Sequence, residues 1–204
     1  MTAGLTVRRK RLGIFGGAFD PPHLAHVALA QVAINQLELD VLWVIPTGHA
    51  WHKTRTLSPA EHRVAMTRLA FESDAKVVVD DREARRPGPS YTIDTVFELQ
   101  AQNPLTDWFL IIGADQAGSF TGWHRWQDLI QCATICVAER DYSRMAKANF
   151  APPAALKDRV LRLKMPLMPI SATAIRARVA QHEPIAALVG EPVARYIAQH
   201  HLYL

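Results

Sequence analysis

The sequence predicts an α/β fold: a doubly wound parallel sheet with helices on both faces and a small helical C-terminal part. Short apolar segments rich in branched residues recur at 12–15, 41–45, 76–79, 108–112 and 134–137, each ending in polar residues, Gly or Pro. Helix-like stretches separate most of them, at 22–36, 59–71, 92–102 and, more broken, 116–130. Strand alternating with helix is the pattern of a parallel sheet, because parallel neighbours need a crossover and the crossover helices cover both faces. Size is the third observation: 204 residues, 49% hydrophobic and 21% charged, suit one globular domain with a substantial core. A single Rossmann-like unit over 1–204 is therefore expected, with a core at about 12–140 and a C-terminal part at about 160–204.

In order along the chain, the first strand runs into Gly16-Gly17, the second into residues 46–53, the fourth into Gly113-Ala114-Asp115 and the fifth into Glu139-Arg140. A ligand of such a fold sits outside the carboxyl ends of the strands, where the strand order reverses, and each of these clusters falls just after a strand. Beyond about residue 140 the pattern changes to a Pro-containing connection, then the segment 161–164, then Pro169-Ile170-Ser171-Ala172-Thr173 opening a short helix to about residue 180. Residues 184–201 read as one or two terminal helices, with Gly190 a break and Pro192 a first-turn proline. The sequence shows no internal repeat, no low-complexity tract and no linker between independent domains.

A net charge of +4 is compatible with an anionic ligand without requiring one. The compact basic cluster Arg8-Arg9-Lys10-Arg11 reads as a solvated N-terminal arm rather than a nucleic-acid patch, since no basic run interleaved with aromatics follows it. The apolar stretch behind it is too short for a signal peptide, and no run is long enough to cross a bilayer, so a cytoplasmic protein without membrane or nucleic-acid partners is expected. Cys132 and Cys136 read as small, reduced, buried residues; a zinc site would need two more ligands at sensible spacing, and no protein-held metal is expected.

The stretch Gly16-Gly17-Ala18-Phe19-Asp20-Pro21-Pro22-His23-Leu24-Ala25-His26 bears the chemistry. A glycine pair lets an anion approach bare backbone N–H groups, and the following helix adds its positive end; a plain tight turn is the alternative. His23 and His26 are one helical turn apart, so they share a face at the helix start and can donate to phosphoryl oxygens; two surface histidines are the alternative. Ser171 is a natural N-cap, Thr173 lies in the first turn and Arg176 follows, so hydroxyls, free N–H groups and a guanidinium can converge on a polyphosphate; otherwise this is a capped helix with a surface arginine. Asp115 suits a ribose contact or a helix cap.

The order GxFDPxHxxH after a first strand resembles the nucleotidyltransferases whose hallmark is a His-x-Gly-His pair, and Ile170-Ser171-Ala172-Thr173-Ala174-Ile175-Arg176 resembles their second hallmark, Ile-Ser-x-Thr-x-Ile-Arg. Pro89-Ser90-Tyr91-Thr92-Ile93-Asp94-Thr95, Ile112-Gly113-Ala114-Asp115-Gln116, Trp123-His124-Arg125-Trp126 and Trp51-His52-Lys53 are similar to the bacterial nicotinate-nucleotide adenylyltransferases. The resemblance runs from Leu12 to Leu204. It departs at Ala25, where the family usually has glycine, at Ala18 for a common Thr or Ser, and at Ala50-Trp51 before His-Lys.

The resemblance implies transfer of the adenylyl group of ATP to nicotinate mononucleotide, giving deamido-NAD and pyrophosphate in NAD biosynthesis. It implies His23, His26 and Arg176 as the catalytic groups, and Gly16, Gly17, Ala18, Phe19, Gly113, Asp115, Ser171 and Thr173 around ATP. It implies Lys53, Tyr91, Thr92, Trp123, His124 and Arg140 around the mononucleotide, with Trp123 stacking near the pyridine ring and neighbouring N–H groups taking its carboxylate. Tyr91 has a purely structural role as its alternative. Mg²⁺ is expected to come with ATP as co-substrate, held chiefly by its phosphates. The rival readings are a related transferase acting on nicotinamide mononucleotide or phosphopantetheine, and a non-catalytic nucleotide-binding or nucleic-acid-binding regulator. Oligomeric state is not readable from the sequence.

Overall fold

The computed structural model describes residues 8–48, 56–140 and 154–204. Strands β1 (Lys10–Gly17), β2 (Val41–Pro46), β3 (Val77–Val79), β4 (Thr106–Gly113), β5 (Thr134–Arg140) and β6 (Val160–Met165) form one sheet in the order β3-β2-β1-β4-β5-β6, every neighbouring pair parallel. The order reverses between β1 and β4, so the switch point lies outside Gly16-Gly17 and Gly113. The helices are α1 (Leu24–Gln36), α2 (Ala60–Phe71), α3 (Arg82–Arg85), α4 (Thr92–Gln102), α5 (Ala114–Ala117), α6 (Trp126–Cys132), α7 (Ala172–Ala180), α8 (Ala186–Val189) and α9 (Glu191–Gln199).

Side chains alternate along each central strand, as the period of two requires. Leu12 and Ile14 of β1, Trp108, Leu110 and Ile112 of β4, and Ile135 and Val137 of β5 pack with Ile93, Val96 and Leu99 of α4 and Leu129 and Ile130 of α6. Phe15, Phe109, Ile111, Cys136 and Ala138 point the other way, onto Leu29, Ala30, Ala33 and Ile34 of α1. The two-sided core explains why these strands read as continuous apolar runs rather than alternating ones. A third cluster joins Met66 of α2 to Ile175 of α7, Val189 of α8 and Val193 and Ile197 of α9, and so fastens the C-terminal helices beside α2.

The structure differs from the sequence reading in several places. Segment 161–164 belongs to a sixth strand on the β5 edge, exposed at Leu161, Arg162 and Lys164 and buried at Leu163, which is why it lacks the apolar run of the inner strands. Stretch 116–130 is not one broken helix but α5, a 3₁₀ turn at Phe120–Gly122 and α6, parted by the left-handed backbone of Arg125 (φ 52°). Gly16 and Gly17 end β1 rather than following it, and α1 starts at Leu24 with His23 as its cap, not at Pro22. Nor are Arg8 to Arg11 a free arm. Arg8 pairs with Asp40, Arg9 with Asp107 at 3.5 Å, and Arg11 donates to the Leu37 carbonyl at 2.7 Å from inside β1. Gly190 (φ 84°) does divide the terminal helices, and Pro192 lies in the first turn of α9. No helix among the described residues is long and apolar enough to cross a membrane.

Candidate active site

At the end of β1 the chain turns through Ala18, Phe19 and Asp20 into Pro21-Pro22 and the cap residue His23. Phe19 has φ 47°, left-handed backbone that a non-glycine residue adopts only when its surroundings hold it there. Its ring is buried edge-on between Phe15 (centroids 5.4 Å) and His26 (5.0 Å). That packing sets the identity of residue 17, since a Cβ on Gly17 would stand 2.9 Å from the Phe19 ring. A Cβ on Gly16 or Gly113 would meet nothing within 4 Å among the described residues, so packing explains neither glycine. Gly16 still pairs with Ile45 and Gly113 with Ala138, so both stay in the sheet with no side chain over the strand ends.

His23 and His26 do share a face. Their rings stack at 3.7 Å with an interplanar angle of 24°, His23 buried and His26 half-buried. His26 Nδ1 accepts from the His23 backbone N–H at 3.2 Å, which in the neutral ring leaves the proton on Nε2 as a donor. Ala25, between them, is buried in the α1 face of the core.

The second motif meets the first across 156 residues: Arg176 Nη1 donates to the Asp20 carbonyl at 2.7 Å, and its Nη2 donates to Thr173 Oγ1 at 3.2 Å. Ser171 caps α7, its Oγ accepting from the Ala174 N–H at 3.2 Å. The helix is therefore capped as expected, while the arginine is tied to the turn beside the histidines rather than loose on the surface. The Asp20 carboxylate is buried; Oδ1 accepts from the Tyr203 hydroxyl at 2.7 Å and Oδ2 from the Ser58 N–H at 3.3 Å.

Tyr91 and Thr92 open α4, and the Tyr91 ring lies 4.3 Å from that of His124. Trp123 follows the 3₁₀ turn, half-buried, with its ring 5.5 Å from Phe120. Asp115 is exposed in the first turn of α5, whose N-cap is Gly113, so Asp115 is not the cap. Arg140 closes β5, but its side chain lies outside the described residues, as does all of Lys53 with Ala50, Trp51 and His52.

Sequence reasoning passed over the groups that hold these segments from behind. Arg63 of α2 is 2% exposed, and its guanidinium donates to the carbonyls of Ser58 (2.9 Å), Ala18 (2.9 Å) and Gly48 (3.2 Å). One side chain thus joins the turn after β1 to the exit of β2. The only hint in the sequence is its place on the helical face that carries Val64, Met66 and Phe71. Glu83 of α3 is also buried; it accepts from Thr95 Oγ1 at 2.7 Å, and Arg86 bridges Ser90 Oγ (2.9 Å), Thr95 Oγ1 (3.3 Å) and Glu98 Oε1 (2.8 Å) just ahead of Tyr91. Burial pushes the Glu83 carboxyl above its ordinary range, against the pull of the Thr95 hydroxyl and the Arg86 charge. Burial pushes the Cys136 thiol up to about 12, as an inert core thiol requires; Cys132, expected to be buried as well, is only half-buried, and burial raises its pKa too.

Comparison with known proteins bears on this arrangement. The cytidylyltransferase-like family matches residues 14–178. A probable nicotinate-nucleotide adenylyltransferase of Albidiferax ferrireducens is 57% identical over 194 residues, 95% of this chain and 98% of its own. Its counterpart from Methylibium petroleiphilum is 44% identical over 202 residues, 96% of this chain and 93% of its own. Among solved structures, Plasmodium falciparum nicotinic acid mononucleotide adenylyltransferase complexed with APC superposes with a TM-score of 0.74 at 18% identity, covering 96% of this chain and 98% of that one. The same enzyme complexed with NaAD gives 0.72 at 19% identity, with the same coverage. At such identities the likeness is one of fold.

Proposed function

The chain belongs to the nicotinate-nucleotide adenylyltransferases within the cytidylyltransferase-like family, and from that premise we propose how its residues carry the reaction. The adenylyl group of ATP passes to nicotinate mononucleotide, giving nicotinate adenine dinucleotide and pyrophosphate. The phosphate of the mononucleotide is an anion near neutral pH, so no base has to generate the nucleophile. It attacks the α-phosphorus of ATP, forming the new P–O bond as the bond to the β-phosphate oxygen breaks. Aligning the two phosphates and stabilising charge on the equatorial oxygens is what the protein has to supply.

One observation supports the residue roles above all: Arg176 reaches the Asp20 carbonyl, so the two motifs share one turn. In this reading the open backbone at Gly16, Gly17, Ala18 and Phe19 guides the phosphates. His26 Nε2 and His23 donate toward the α-phosphate, and Ser171, Thr173 and Arg176 hold the departing pyrophosphate. Gly113 and Asp115 border the nucleoside. Tyr91, Thr92, Trp123 and His124 take the pyridine end by stacking and hydrogen bonding, and Arg140 and Lys53 meet phosphate. Mg²⁺ belongs to this reading as an ion carried on ATP phosphates, where it would neutralise charge. Asp20, the carboxylate nearest the histidines in sequence, is buried and already engaged by Tyr203 and Ser58, which suits a structural part better than a metal ligand.

The test is pyrophosphate release with ATP and Mg²⁺, offering nicotinate mononucleotide, nicotinamide mononucleotide or phosphopantetheine in parallel and identifying products by mass. Strong preference for the nicotinate acceptor is the expected outcome. Equal or better use of another acceptor would overturn the pocket assigned to Trp123 and His124 while leaving the phosphate chemistry.

A further inference from the structure

We propose that Tyr203 is a positioning residue for adenylyl transfer: by holding the buried Asp20 carboxylate, its hydroxyl fixes the turn that presents His23 and His26. The inference rests on the reading of those histidines given above.

Tyr203 stands just beyond α9, 183 residues from Asp20, and its hydroxyl donates to Asp20 Oδ1 at 2.7 Å. The chain bends sharply to bring it there, with His201 at φ 48° and Tyr203 at φ 69°. Left-handed backbone at two non-glycine residues so close together is unfavourable, and it persists where the surroundings impose it. Here the surroundings are the cluster of α2, α7 and α9, against which the half-buried Tyr203 ring packs, and the hydrogen bond to Asp20.

Asp20 is gripped from three elements at once. The segment entering α2 gives the Ser58 N–H to Oδ2, α7 gives Arg176 to the main-chain carbonyl, and the segment after α9 gives Tyr203 to Oδ1. Only Pro21 and Pro22 separate Asp20 from His23. Both have φ locked by their rings, so this short bridge has little slack to absorb a shift at Asp20. A displaced Asp20 therefore displaces the His23 cap, and with it the ring stacked on His26 at 3.7 Å. Transfer between two phosphates is sensitive to such misplacement. A phenylalanine would fill the same volume, but it would take the Tyr203 hydroxyl away from the buried carboxylate.

The experiment compares Tyr203→Phe with Tyr196→Phe, which deletes a second C-terminal hydroxyl, one bonded to His62 Nδ1 at 2.9 Å and not to Asp20. Assays run at low temperature, with kcat normalised to the folded fraction by circular dichroism. Tyr203→Phe is expected to lower kcat about tenfold while KM for nicotinate mononucleotide stays within about twofold, the split of a group acting on the transition state. Tyr196→Phe should keep the original kcat.

Asp20→Ala is the second route, and it decides alone if Tyr203→Phe does not fold. It keeps the phenol but removes both carboxylate oxygens, and with them the bonds from Tyr203 and Ser58, and should show the same split. Unaltered kcat in folded Tyr203→Phe or in folded Asp20→Ala, or an equal fall in Tyr196→Phe, would overturn the inference. A parent chain that releases no pyrophosphate from ATP and nicotinate mononucleotide would instead remove the functional reading beneath it, so the two failures are distinguishable.

Discussion

Glu83 shows how a single buried side chain ahead of Tyr91 leaves a mark on stability. Its carboxyl is buried against Thr95, and burial raises its pKa above the ordinary 4.5. The folded chain therefore keeps this proton at pH values where the unfolded chain has released it. Stability from this group is greatest below about pH 4.5 and declines as pH rises through the folded pKa. Glu83→Gln keeps an oxygen to accept from Thr95 and removes the charge that burial disfavours, while Arg86 retains Glu98 at 2.8 Å. Urea unfolding of the two proteins should show the variant gaining relative to the parent as pH rises from about 4 to about 8. A stability difference independent of pH would show that Glu83 titrates normally. The adjoining bonds to Ser90 place this network directly ahead of Tyr91, so the same substitution tests how firmly that segment is held.

At the level of elements, three glycines at the switch point divide into two kinds. Gly17 answers to packing, since a methyl group there would press on the Phe19 ring at 2.9 Å; Gly17→Ala should cost roughly 1–3 kcal/mol and be visible in the thermal midpoint. Gly16 and Gly113 end the neighbouring strands β1 and β4, facing open space among the described residues. Gly16→Ala and Gly113→Ala should leave the thermal midpoint nearly unchanged and raise KM for ATP several-fold. Normal KM in both variants would show that ATP does not run over these strand ends.

Much of this layer was legible in the sequence, because strand ends, caps and crossovers follow from local pattern: 41–45, 92–102 and the Ser171 cap appear where the residues indicate. The edge strand β6 was not, since most of its side chains are exposed and give only a short signal. Within 116–130, Gly122 and the polar pair His124-Arg125 mark the loop that lies there, while the left-handed turn itself falls on Arg125 rather than on a glycine.

For the molecule as a whole, the sheet order β3-β2-β1-β4-β5-β6 puts the first strand beside the fourth and the switch point between them. The C-terminal helices close on α2 through Met66, Ile175, Val193 and Ile197, which brings Arg176 and Tyr203 to a turn near the start of the chain. Spacing along the sequence revealed both motifs but not that they touch, nor that Arg63 pins the turn from inside the core. Such contacts span tens to hundreds of residues and leave no local periodicity, and an arginine in a helix reads as solvent-facing until the fold buries it.

The central claim is that the site assembled this way stabilises the transferring phosphate through the His23-His26 pair. The most direct measurement is the rate of pyrophosphate release by His26→Ala beside its thermal midpoint. The expected result is a fall in kcat on the order of a hundredfold or more with the fold intact. An unchanged rate in a folded His26→Ala protein would contradict it.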